Sequence, residues 1–277
     1  MRAMELNATP REAEKRLNTN VSGGPSPSGP FPRSPSVMAG ILLLAMLSLA
    51  FNPALDTGGD NAEYLTLARS IDGGQGYRMI AEPGAPTDTK RWPGYPVILA
   101  AAMKVVGQDL TPLKLTSTIS FIAAAALALI YLREQEPRTV WVPAAAVALF
   151  VLNEGMLHYA SSLYAESVFI ALSLGALVML DRAARPDAHR RIAWAIAAGL
   201  TCAAAIYVRP HGLALIPAAF AFLALRRQWR LAFVIPAITV LALVFTAVLM
   251  IIAEQFGKRE NDLTKTSWLD ALVIGLF

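Results

Sequence analysis

Long apolar runs alternate with short polar connectors over most of the chain. The runs lie at about 37–55, 113–132, 139–153, 163–180, 192–208, 212–225 and 231–253. They predict membrane-spanning helices, although several fall near or below the roughly 17–25 residues that a crossing needs. Pro143, Pro217 and Pro236 fall within or near helix starts, which membrane helices tolerate. The reading is an all-α polytopic transmembrane bundle of about 7–8 spans.

A shorter run, 93–107 (PGYPVILAAAMKVVG), contains Lys104. The connectors decide how it is read. Arg133 and Arg138 flank one. Arg182, Arg185, Arg190 and Arg191 crowd a second, and Arg226, Arg227 and Arg230 a third, while 154–162 has no Lys or Arg. Basic connectors face the cytoplasm. The parity of crossings then works only if 93–107 does not cross fully, so it is read as an interfacial or re-entrant helix. Asp60, Glu63, Arg91, Glu166, Arg209 and His211 then share one non-cytoplasmic face.

Two ends of the chain break the pattern. Residues 1–36 are polar and rich in Pro, Ser and Gly, the composition of a disordered tail. The tail's arginines place it in the cytoplasm, so its Asn7-Ala8-Thr9 and Asn20-Val21-Ser22 sequences are not expected to be glycosylated. The run at 37–55 is read as an uncleaved anchor rather than a signal peptide. After 253 a polar connector leads into WLDALVIGLF, and the chain stops inside this new apolar run, which reads as a truncation.

Composition agrees with the runs. Of 277 residues, 55% are hydrophobic and 16% are charged; a soluble domain carries roughly 25% charged residues. The net charge of +4 comes from bases in connectors, which makes it a topology signal rather than a nucleic-acid-binding face. The single Cys202 lies in an apolar run and can form no internal disulfide.

The stretch 56–96 is the long polar segment between the apolar runs, and its part 56–92 is the expected first external loop. Asp60 precedes a helical pattern with Tyr64, Leu65, Ala68 and Ile71 on one face, and Gly73-Gly74 ends it. Two readings stand for Asp60 and Glu63. They can form a capping box, or Asp60 can accept a proton from an acceptor hydroxyl. Lys90-Arg91 before WPGYP can hold a lipid-linked phosphate or anchor the chain beside Trp92 and Tyr95 in the aromatic belt. Glu166 stands at a helix start, where an ionisable group is a functional candidate. Arg209 and His211 lie in a Pro/Gly turn. No P-loop, nucleophile triad or metal-ligand cluster is visible; the sequence points to no particular cofactor, and a divalent metal is left open.

Several motifs occur in order: an N-terminal span, GDNAEYLTLARSIDGGQGY, RWPGYPVILAAAMKVVG, YAES at a helix start, and RPHGLALIPA. Over about residues 38–250 this resembles the GT-C membrane glycosyltransferases. The nearest branches are the bacterial relatives of protein O-mannosyltransferases and the lipid A aminoarabinose transferases. The resemblance implies a polyprenyl-phosphate sugar donor and a glycan, lipid or protein acceptor hydroxyl. It implies transfer outside the cytoplasm, at the bacterial inner or plasma membrane. It places the catalytic carboxylate on Asp60, four residues before Tyr64, and the lipid-phosphate contact on Arg91 with Lys90 beside it. The family's later acidic position falls on Glu166. Relatives often carry an Asp-Glu pair where this chain has Asp60-Asn61, so a second acid falls on Glu63 or Asp56. Rival readings are a transporter or flippase of a lipid-linked substrate, and an inactive or assembly subunit.

Overall fold

The structure is a computed structural model describing residues 35–54, 59–88, 90–185 and 190–260. Among these, the regular elements are helices, with one isolated antiparallel bridge between Arg78 and Thr87. The expected tail up to Ser34, Asp56 in the first loop and the final apolar run lie outside the described residues.

Helix α1 is Pro35–Ala50, so the last two residues of the expected tail are helical. It stops short of residue 55 because Pro53 bars α geometry at Asn52, whose Oδ1 accepts the Ala54 amide at 2.9 Å. Helices α2 (Asn61–Asp72) and α3 (Gly94–Val106) belong to the polar stretch. Then come α4 (Leu110–Gln135), α5 (Trp141–Val151), α6 (Glu154–Ser161), α7 (Glu166–Ala184) and α8 (Arg191–Val208). A 3-10 turn at Pro210–Ala214 leads into α9 (Leu215–Leu225), followed by α10 (Trp229–Glu260).

Among the described residues, four helices are long and apolar enough to cross a membrane: Leu110–Gln135, Glu166–Ala184, Arg191–Val208 and the Trp229–Thr246 part of α10. A fifth crossing is counted if α5 and α6, bent by 65°, form one span. This is fewer than the seven to eight spans expected from about 17–25 apolar residues each. The expected span 139–153 is broken at Asn153, whose extended backbone and side-chain Oδ1, accepting the Met156 amide at 3.1 Å, start a new helix. The expected connector 154–162 is therefore mostly helix. The expected span 212–225 begins as a 3-10 turn, leaving an apolar helix of 11 residues. The expected connector after 253 continues α10 as far as Glu260. Helix α3, at 13 residues, rises about 20 Å, well short of a roughly 30 Å hydrocarbon layer. Its length suits an interfacial or re-entrant element.

Helix α7 packs along α8 and α4, and α8 along α10. The last contact is close because Gly199 faces it. A Cβ there would come within 2.7 Å of the Ile238 side chain, and Thr239 Oγ1 donates to the Gly199 carbonyl at 3.1 Å. Small residues allow such backbone approach where no hydrophobic force drives helices together. One core cluster underlies the polar stretch. Tyr64, Leu65, Ala68 and Ile71 of α2 meet Tyr95, Leu99, Ala100 and Met103 of α3, together with Leu113, Leu163, Val168 and Val208. The expected buried face of α2 is thus the observed one.

Candidate active site

The local geometry of α2 decides what Asp60 does. Its backbone is already helical (φ −80°, ψ −8°), and it makes no side-chain capping bond. A capping side chain needs an extended backbone, so the expected capping box does not form. The carboxylate turns instead to Arg91, whose guanidinium lies 3.0 Å from Asp60 Oδ1 and also pairs with Glu63. The Arg91 side chain is 17% exposed, against 45% for Asp60 and 36% for Glu63. One cation, mostly buried, is shared by two accessible acids.

Arg91 is held from its backbone side as well. Asp88 accepts the Lys90 amide at 3.1 Å and the Arg91 amide at 3.0 Å. The Tyr77 hydroxyl donates to the Arg91 carbonyl at 3.1 Å. Burial first, then the Asp88 charge, pushes that hydroxyl well above its ordinary ionisation range. The Lys90 side chain is exposed, on the surface beside this turn.

A second ion pair joins Glu166, the first residue of α7, to Arg209, just past the end of α8. The Tyr64 side chain is buried among core residues, within reach of charges from both pairs. Burial pushes its hydroxyl up to about 12; Asp60, Glu166 and Asp88 act in the same direction and Arg209 opposes them. The chain achieves this meeting through Gly94. A Cβ there would lie 2.6 Å from the Tyr207 carbonyl group and 2.8 Å from the Val208 amide. Only a residue without a side chain lets the start of α3 sit on the end of α8, which brings Arg91 toward Arg209. Gly59 makes another close approach. It has φ +63°, and a Cβ would lie 2.8 Å from the Tyr164 hydroxyl.

The structure therefore brings Asp60, Glu63, Arg91, Tyr64, Glu166 and Arg209 to one end of the bundle. His211 is exposed in the turn after Arg209, and among the described residues no ion pair joins it to the others. Four participants were missed. Asp88 and Tyr77 carry no motif and act only through the fold. Tyr164 was passed over in favour of its neighbour Glu166. Lys114 had a readable signal: a lysine inside an apolar run. It is 1% exposed, and its ammonium donates to the carbonyls of Asn52, at 2.6 Å, and Ala54. It thereby fixes the path of the chain toward the Asp60 loop. Nearby, the buried Tyr95 hydroxyl and Ser117 Oγ lie 2.8 Å apart.

Among the described residues no group of three or more His, Cys, Asp or Glu side chains is placed to hold a metal ion. Comparisons with family models, curated proteins and solved structures return no match for this chain.

Proposed function

We propose that this chain is a membrane glycosyltransferase of the GT-C kind. It moves a sugar from a polyprenyl phosphate to an acceptor hydroxyl at the non-cytoplasmic face of a bacterial inner membrane. The observation that carries the reading is the pairing of Arg91 with Asp60 and Glu63, beside that of Arg209 with Glu166. It lies at one end of apolar helices long enough to span a bilayer. Accessible carboxylates there can take a proton, and arginine can hold phosphate through a bidentate fork.

The roles follow from the shared cation. An incoming lipid phosphate takes Arg91 in exchange for Asp60. The freed Asp60 carboxylate accepts the proton of the acceptor hydroxyl as that oxygen bonds to the anomeric carbon. The bond from that carbon to the phosphate oxygen breaks, and the phosphate leaves with the electron pair against Arg91. A site at the membrane edge has a low dielectric, which strengthens both interactions. Glu63 keeps Arg91 in place during the exchange.

Asp60→Asn tests this reading in a transfer assay. The substitution keeps the size of the side chain and removes no cap, because none is made. Loss of a general base costs about 10²–10⁴-fold in rate, so the variant should bind donor and transfer almost nothing, with Glu63→Gln milder. Near-normal transfer by a folded Asp60→Asn protein would remove Asp60 from the mechanism. One observation favours a transporter as a second reading: the 65° break between α5 and α6, since transporters build sites from discontinuous helices. Flux of a fluorescent polyprenyl phosphate across proteoliposomes, without transfer, would support it.

A further inference from the structure

An aromatic cluster borders the carboxylates and has no part in the mechanism above. His158 and Tyr159 come from α6, and Tyr164 from the segment leading into α7. Ring centroids lie 5.9 Å apart for His158 and Tyr159, 5.5 Å for His158 and Tyr164, and 5.5 Å for Tyr159 and Tyr164. His158 is exposed, and the two tyrosines are half-buried. The break at Asn153 makes this possible, because residues continuing α5 as a straight span would not turn back to Tyr164.

Aromatic-belt residues are spread around the rim of a bundle with their polar tips in the headgroup layer. This cluster is instead tied to the site. The Tyr164 hydroxyl rests against Gly59, the residue before Asp60, and Tyr164 stands two positions before Glu166. The cluster thus adjoins both carboxylate groups. Apolar ring faces beside a few convergent polar groups are the usual composition of a small-molecule site. The C–H face of a sugar ring carries partial positive charge and meets the negative face of an aromatic ring.

We propose that His158, Tyr159 and Tyr164 form a sugar-stacking subsite, against which the hexose of the donor lies with its anomeric carbon toward Asp60. This rests on the glycosyltransfer reading and names the part of the donor that the ion pairs do not hold. The division of labour is explicit: Arg91 holds the phosphate, and the aromatic rings hold the sugar.

The test measures binding to the full chain in nanodiscs with two probes, citronellyl phosphate and mannosyl citronellyl phosphate. Wild type should bind the mannosyl lipid more tightly than the bare phosphate. Tyr159→Ala should lower affinity for the mannosyl lipid about tenfold and leave the bare lipid phosphate unchanged. Tyr159→Phe, which keeps the ring, should behave as wild type, and His158→Ala should act in the same direction as Tyr159→Ala. Arg91→Ala should weaken both probes. Equal losses on both probes in Tyr159→Ala, or no loss on either, would overturn the subsite while leaving the Arg91 reading intact. A wild-type chain that binds neither probe would overturn both.

Discussion

The two ends of this bundle use the same residue types in opposite proportions. At the candidate site, two accessible acids share Arg91, and a second acid–base pair joins Glu166 to Arg209. At the far end, the bases outnumber the acids. Glu134 of α4 holds Arg182 at 3.0 Å and Arg185 at 2.5 Å. Asp181, only 4% exposed, holds Arg185 at 2.8 Å and Arg226 at 3.4 Å. Arg182 also lies 5.0 Å over the Trp194 ring, and Arg191 donates to the Ala183 carbonyl at 3.1 Å. These contacts tie the ends of α4, α7, α8 and α9 together. Acids that already hold more than one base, as Glu134 and the buried Asp181 do, are suited to stapling helices. Half-exposed acids competing for one base can exchange partners. Ion pairs alone do not mark a functional site; the ratio of charges and their access to solvent do.

The comparison can be broken at several points. The largest expected effect is Gly94→Val, which forces side-chain atoms into the Tyr207–Val208 backbone. Overpacking of this kind costs about 1–3 kcal/mol, and it separates α3 from α8, so donor binding should be lost together with thermal stability in detergent. A variant that binds donor normally would show that the site does not depend on this contact. Asp181→Asn should cost about 2 kcal/mol, the scale of hydrogen bonds to charged groups. It should lower the melting temperature and leave donor affinity unchanged, whereas loss of donor affinity would end the division between staple and site. The smallest effect is expected at Lys104, whose ammonium lies 2.7 Å from Asp72, near the C-terminal ends of α3 and α2, and whose side chain is 62% exposed. Lys104→Ala should change stability by no more than about 1 kcal/mol. A larger drop in a melting curve would mean that even exposed pairs act as staples here.

The long helices were legible because an uninterrupted apolar run has few alternatives to a helix, as with α4, α8 and α10. The buried face of α2 was legible for the same reason of spacing. The break at Asn153 was not, because a polar Asn-Glu-Gly step reads equally well as a connector and as a new helix start. Asp60 stood out in the sequence, but its partner was hidden: Arg91 is far along the chain, and no local rule joins the two. The same holds for Asp88, which acts on the Arg91 backbone, and for Lys114, which acts on carbonyls that any sequence would supply. Residues acting on backbone atoms leave no record of their partners in side-chain spacing, even where, as at Lys114, the residue itself stands out.

The Gly94 contact also bears on the order of assembly. Chains enter the membrane from the N-terminus as they are made, so α2 and α3 emerge well before the surface that α3 must rest on. Until Tyr207 and Val208 arrive, the bare backbone at Gly94 has nothing to close against. Asp60, Glu63 and Arg91 can find one another early, but Arg209 joins them only after α8 is in place. The two halves of the site therefore meet late in biogenesis, and a chain whose α8 is misplaced is left with an unfinished site.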